Sequence, residues 1–353
     1  MSRIPITMHA VIIEEAGRVA VKEVPIPIIE PFEILVQVHA VAQNPTDWKH
    51  VYNIAHKQTI VGCDFSGVVV EVGASVEGPF EIGDRVAGFV QGSHWKDRGA
   101  FAEYVKTDWD LVWAVPSETT HEEAAAMSLA LWTAVQGMYH PTRLNLVEPP
   151  EKVQTPEWIF IYGGSTSVGQ YAIQLAKISG YKVVTVASPH NYELVKSLGA
   201  DLVFDYHDKD AVKKIKEATE DSIHHALDTH AQGGSQMFTI ATLAPGPGGM
   251  TCILPVDEAA QKYRPDINVI YTLLYTVLGR EFSFRGKTFA RSEEDKAHMV
   301  AFLPKLTELV RDGKIRSNKL KLWEGGLDAI GDGLAYMKAG KISGQKIVYK
   351  VIA

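Results

Sequence analysis

"IFIYGGSTSVGQYAIQ" (residues 159–174) reads as a short apolar strand, a glycine turn and the opening turns of a helix. A parallel α/β sheet uses that order to present backbone N–H groups and a helix N-terminus to a nucleotide phosphate. The G-x-G-x-x-G fingerprint is only partly kept. Gly164 and Gly169 hold its first and third places, and Thr166 stands in the middle. Gly164 would permit the tight turn and Gly169 the close packing of helix on sheet. Ser165, Thr166 and Ser167 add hydroxyl donors that a phosphate can use. A glycine-serine turn before a helix also has a plain structural reading, so the flanking pattern must decide.

Downstream, "SVGQYAIQLAKISG" (167–180) places Val168, Ala172, Leu175 and Ile178 on one helical stripe and stops at Gly180. "YKVVTVAS" (181–188) is a second strand. "NYELVKSLG" (191–199) predicts a helix with Asn191 at its N-cap and Gly199 at its end. Short strands around "DLVFDY", "HHALDTH" and "GMTCILP" then alternate with helical segments. Strands alternating with helices predict a doubly wound parallel sheet.

Upstream, the first 110 residues are short β-like runs punctuated by glycine, proline and acidic turns. They predict a compact all-β module. "HEEAAAMSLALWTAVQGMYH" (121–140) predicts a helix, and the proline-bearing stretch at 140–158 an exposed loop. After "FSFRGKTF" (282–289) come a helix over 293–311, a β-like "KLKLWEGG", another helix and a closing strand, "QKIVYKVI". We assign this tail to the β-rich module. The fold class is therefore α/β: residues 1–130 and 303–353 form the β-rich domain, and 131–302 the inserted doubly wound domain.

Composition agrees with two ordinary globular domains: 353 residues, 46% hydrophobic and 22% charged. A net charge of −7 offers no basic footprint for nucleic acid or an anionic membrane surface. The N-terminal stretch lacks the apolar core of a secretory signal. The most apolar window, "INVIYTLLYTVLG" (267–279), is too short to span a bilayer. It reads as an interface or a pocket wall. Two cysteines, Cys63 and Cys252, do not suggest a disulfide framework and fit a reducing, cytosolic setting. The expected localisation is cytoplasmic.

The second strand runs into "SPHN", where an NAD site would place Asp or Glu against the ribose 2′-hydroxyl. Ser188, His190 and Asn191 are neutral or cationic donors instead, which suits a 2′-phosphate and favours NADPH. Ser188 and Asn191 are also natural caps for the next helix, and the two roles are compatible.

Taken in order, "AQNPTDWK", "VGCDFSGVVVEVG", "GDRVAGF", "GAFAEYV", "GGSTSVG", "SPHN" and "SGQKIVYKV" resemble the zinc-independent medium-chain dehydrogenase/reductase superfamily, in its quinone-oxidoreductase and enoyl-reductase branch. The "SPHN…SLGAD…FDY" run and "ISGQKIVY" are most similar to fungal trans-acting enoyl reductases of polyketide biosynthesis and their toxD-like relatives. The resemblance covers essentially the whole chain. It implies a GroES-like catalytic domain and a Rossmann cofactor domain. In zinc-dependent relatives the positions of Cys63 and Asp64 carry His and Glu, and the upstream cysteine ligand matches Asn44. The resemblance therefore implies no metal. His224 and His225 point to opposite faces of a predicted strand and do not replace the missing ligands.

It also implies roles for particular residues. Lys49 would stabilise enolate charge, unless it is a solvated surface lysine. Tyr52 is either a proton donor or a packed aromatic. Thr133 matches the threonine that approaches the nicotinamide, or is a hydroxyl satisfied within its helix. Asp47 would orient Lys49 or bond its own turn, and with Asn44 it joins the cofactor-binding candidates. Those comprise Gly164, Ser165, Thr166, Ser167, Val168, Ser188, His190 and Asn191, with Tyr206 against the 2′-phosphate. Leu254 and Pro255 would line the nicotinamide pocket, approached by Ile347 and Val348. Many quinone reductases carry a lysine where this chain has Asn191.

The implied activity is hydride transfer from NADPH to the C=C of an α,β-unsaturated carbonyl, on a free or carrier-tethered enoyl substrate. Reduction of free quinones or alkenals, and non-catalytic cofactor binding, are the alternatives. The implied assembly is a monomer or homodimer, with no nucleic-acid or membrane partner.

Overall fold

The computed structural model describes residues 4–284 and 286–352; Met1–Arg3, Arg285 within "FSFRGKTF", and Ala353 lie outside the described residues. The chain forms two compact units, Met1–Leu129 with Val277–Ala353, and Ala130–Thr276.

The first unit opens with the hairpin β1 (Thr7–Glu15) and β2 (Arg18–Pro25), then β3 (Glu33–Ala42). A short helix α1 (Pro45–Lys49) runs directly into a π-helical turn, His50–Ile54. Four strands follow: β4 (Asp64–Val72), β5 (Arg85–Phe89), β6 (Tyr104–Asp108) and β7 (Val112–Ala114). β3 and β4 pair antiparallel, and most of β3 is buried on both faces, which explains why it is mostly apolar. The core beneath them gathers Val36, Phe65, Val86, Phe101, Ile347 and Tyr349.

The helix expected over 121–140 is two helices, α2 (His121–Ala125) and α3 (Ser128–Tyr139). Thr120 and Glu123 form a reciprocal cap on α2. In an unbroken helix the Leu129 N–H would bond to the carbonyl four residues back. It donates instead to Asp64 Oδ1 at 2.7 Å, and the break falls there.

The second unit is the expected doubly wound sheet. Its elements alternate along the chain: β8 (Trp158–Tyr162), α4 (Ser167–Ile178), β9 (Lys182–Val186), α5 (Tyr192–Ser197), β10 (Leu202–Phe204), α6 (Ala211–Ala218) and β11 (His225–Asp228). Then come α7 (Ser235–Thr242), β12 (Gly248–Cys252), α8 (Glu258–Tyr263) and β13 (Ile267–Tyr271). The six strands are parallel in the order β10-β9-β8-β11-β12-β13, so the order reverses beside β8. Open parallel sheets bind ligands beyond the carboxyl ends of the strands at such a reversal. α4 is buried over Val168–Ala176 on nearly all sides, whereas Ile178 of the expected stripe is only half-buried.

The chain returns through the hairpin β14 (Phe282–Phe284) and β15 (Lys287–Phe289), then α9 (Glu293–Arg311), β16 (Lys319–Leu322), α10 (Ile330–Lys338) and β17 (Gln345–Lys350). β17 lies between β16 and β3, so the closing strand belongs to the β-rich unit. The return falls at Val277, ahead of the border expected at 303, which would cut through α9. Ion pairs hold this segment early: Arg280 to Glu33 at 3.1 Å and to Asp108 at 2.6 Å, and Lys296 to Asp108 at 2.9 Å. Among the described residues no helix is long and apolar enough to cross a membrane.

Candidate active site

The glycine turn after β8 differs from the fingerprint reading in which glycine does what. Gly163 takes the left-handed conformation, at φ 79°, and makes the turn. Gly164 serves close packing: a Cβ there would lie 2.3 Å from Thr185 Oγ1. Gly169 meets the expectation, since a Cβ would stand 2.2 Å from the Gly163 carbonyl oxygen. Thr166 is the N-cap of α4. Its hydroxyl accepts from the Gly169 N–H at 2.9 Å and pairs with Thr229 Oγ1 at 2.8 Å. That hydroxyl is thus committed inside the turn. Ser165 and Ser167 stay half-buried at the helix N-terminus, where the dipole favours an anion, and Val168 is buried behind them.

At the end of β9, Ser188 Oγ and Tyr206 Oη lie 3.0 Å apart. The Tyr206 ring packs beside Tyr162 and His207, with centroids 6.2 and 4.1 Å away. Tyr162 in turn stacks on His230 at 6.3 Å, forming an aromatic wall at the strand ends that the sequence reading missed. Burial, with Asp228 nearby, pushes the Tyr162 phenol up to about 12. His190 is exposed, and its Nε2 lies 3.2 Å from Asn191 Nδ2. Asn191 precedes α5 as expected, but its side chain makes no capping bond.

The "QNPTDWK" segment holds a buried polar cluster. Asn44 Nδ2 donates to Asp64 Oδ2 at 2.8 Å, and Asn44 Oδ1 accepts from Lys346 Nζ. Lys346 also pairs with Asp64 Oδ2 at 3.1 Å; the two side chains are 2% and 0% exposed. Asp47 Oδ2 accepts the Asn44 N–H at 2.6 Å, closing the turn that starts α1. Burial first, with Asp64 adding repulsion, raises the Asp47 carboxyl to about 7. The Cys63 thiol faces it and is pushed well above its usual range by burial and by both carboxylates. Lys346 was overlooked in the sequence. The available signal was an ionisable residue inside an apolar closing strand.

This cluster does not fit a metal. A catalytic zinc needs three protein ligands. Both Asp64 oxygens and both ends of the Asn44 amide are already bonded. Among the described residues no group of three or more His, Cys, Asp or Glu is placed to bind an ion.

Lys49 ends α1, half-buried, with its ammonium 5.8 Å from the Trp48 ring centroid. The Tyr52 ring is packed: Gly17 leaves just enough room for it, and the Lys338 ammonium covers it at 4.6 Å. Both lie in the first unit. Thr133 lies in α3 within the second unit and is 6% exposed. Leu254 and Pro255 follow β12, in a loop that Gln236 holds by donating to the Pro255 carbonyl at 2.9 Å and accepting from Asp257 N–H at 2.8 Å. Ile347 and Val348 lie on β17, an interior strand, and both are 0% exposed. Asn44 and Asp47 are each 1% exposed; the Asn44 amide is engaged by Asp64 and Lys346, and one Asp47 oxygen closes the α1 turn.

Comparison with known proteins places these features in context. Residues 30–117 match the alcohol dehydrogenase GroES-like domain, and residues 167–303 the zinc-binding dehydrogenase domain. The trans-enoyl reductase ACTTS2 of Alternaria alternata is 37% identical over 98% of this chain and 99% of its own. The trans-enoyl reductase TOXD of Cochliobolus carbonum is 41% identical over 73% of this chain and 86% of its own. Among solved structures, the CurK enoyl reductase aligns with a TM-score of 0.77 at 20% identity, covering 97% of this chain and 99% of that one.

Proposed function

This chain belongs to the medium-chain dehydrogenase/reductase family, alongside its fungal trans-enoyl reductases, and we propose that it reduces the C=C bond of α,β-unsaturated thioesters with NADPH. The observation that carries the cofactor reading is the end of β9. Ser188 and Tyr206 present paired hydroxyls, and no carboxylate stands at 187–191 to repel a 2′-phosphate.

The bound dinucleotide would supply a hydride for the substrate β-carbon, and a proton taken up from solvent at the α-carbon would complete the reduction. The chain supplies the rest. Ser165, Ser167 and the α4 N-terminus hold the pyrophosphate. The Lys49 ammonium stabilises negative charge on the substrate carbonyl oxygen as its enolate develops. Thr133 orients the nicotinamide amide. Tyr52 contributes packing, because its ring is already enclosed by Gly17 and Lys338. The saturated Asn44–Asp64–Lys346 cluster supports a zinc-independent reaction.

NADPH oxidation should be followed with an enoyl thioester, a carrier-tethered enoyl chain, a free enone and a quinone, with NADH in parallel. Turnover of the thioesters with NADPH is expected. Preference for the quinone, or for NADH, would overturn the reading. One equivalent of zinc on elemental analysis, with activity lost on chelation, would overturn the metal-free mechanism.

A further inference from the structure

Lys346 is a charged residue at 2% exposure in the last strand, and a buried ammonium is costly unless paired and hydrogen-bonded. Among the described residues both conditions are met by two side chains, Asp64 at 3.1 Å and the Asn44 amide oxygen. Asn44 and Asp64 are themselves joined at 2.8 Å, so the three groups close a ring of charge and amide. The ring reaches outward in two directions. Asp64 Oδ1 takes the Leu129 N–H at 2.7 Å and sets where α3 begins. Asn44 is the N-cap of α1, a helix of only five residues that ends at Lys49. A second tether runs beside the first. The Gln43 N–H donates to the Ile347 carbonyl at 2.9 Å, and Tyr349 Oη donates to Gln43 Oε1 at 2.8 Å. The closing strand therefore grips both residues that enter the Lys49 turn.

We propose that Lys346 is a positioning residue of the reductase: its ammonium, held between Asp64 and Asn44, fixes the N-terminus of α1 and through it the placement of Lys49. This rests on the reading of Lys49 as the charge-stabilising group. Lys346 is sealed from solvent and acts through Asn44, so the demand on it is geometric. Any arrangement that neutralises Asp64 and keeps Asn44 bonded should serve.

That condition is testable with Lys346→Met, Asp64→Asn and the double variant. In the double variant the buried charge is gone, and an amide at 64 can still accept from Leu129 N–H and bond to Asn44. Lys346→Met alone leaves Asp64 buried and unpaired, and its melting temperature is expected to fall on the order of 10 °C. Its kcat is expected to fall ~10–100-fold through misplacement of Lys49, with the KM for NADPH within about twofold of wild type. The double variant should recover most of both losses.

Unchanged stability and kcat in Lys346→Met would overturn the proposal, as would additive losses in the double variant. Recovery of stability without recovery of kcat would also overturn it, because the ammonium would then act in the chemistry itself. The stability cycle needs no substrate and can refute the coupling alone. Absence of turnover by the wild type on any enoyl substrate would instead refute the reading of Lys49.

Discussion

Ser188 and Tyr206 are 18 residues apart in sequence, and their hydroxyl oxygens lie 3.0 Å apart beyond the ends of β9 and β10. The pair offers neutral donors where an NAD-specific site carries an acid. Tyr206→Phe should raise the KM for NADPH by about tenfold or more, the worth of one hydrogen bond to a charged group, and leave NADH unaffected. Ser188→Asp should reverse the preference. Steady-state kcat/KM with both cofactors checks each variant.

The approach of Gly169 to the Gly163 carbonyl predicts intolerance of any side chain. In Gly169→Ala the new Cβ would meet a backbone oxygen at 2.2 Å, which cannot swing aside. A stability loss of roughly 2–3 kcal/mol is expected from such overpacking, together with weakened NADPH binding. Chemical denaturation and a fluorescence titration with NADPH measure the two effects.

Lys49→Ala should lower kcat by ~100–1,000-fold with little change in the KM for NADPH, the signature of a group that acts on developing charge. Tyr52→Phe keeps the ring between Gly17 and Lys338, and its kcat should stay within about twofold of wild type. A large loss in Tyr52→Phe would instead assign the proton donor to that hydroxyl.

His121 makes the β-rich unit sensitive to acid. Burial, then the stacked His39 ring 4.5 Å away and the Arg85 guanidinium, depress its imidazole from 6.5 to about 4, against a smaller opposing pull from Glu122. The unfolded chain therefore binds a proton between pH 6.5 and 4 that the folded chain refuses. Stability from this group is present in full above pH 6.5 and is lost as pH falls towards 4. His121→Asn should flatten that part of the stability–pH profile, measured by denaturant titration at several pH values. An unchanged slope would show that other groups dominate the acid limb.

Much of the fold was readable because its signals are local. The apolar runs of β8 and β9, the glycine turn between β8 and α4, and the alternation of strands with helices each lie within a few tens of residues. The missing acid at 187–191 was equally visible. What escaped were effects that depend on partners far along the chain. The break between α2 and α3 follows from Asp64, 65 residues before the amide it captures. Which glycine makes the turn after β8 depends on the packing of Thr185 against Gly164. That β17 lies between β16 and β3 depends on pairing with a strand some 300 residues earlier.

Sequence by itself determined the two-module plan and the strand–turn–helix at β8 and α4, because periodicity and turn chemistry act between near neighbours. Only the tertiary structure decided that Lys346 is buried between Asn44 and Asp64, 302 and 282 residues away. An ammonium in an apolar strand can be stable only where folding brings a carboxylate and an amide to meet it, and no local pattern carries that information.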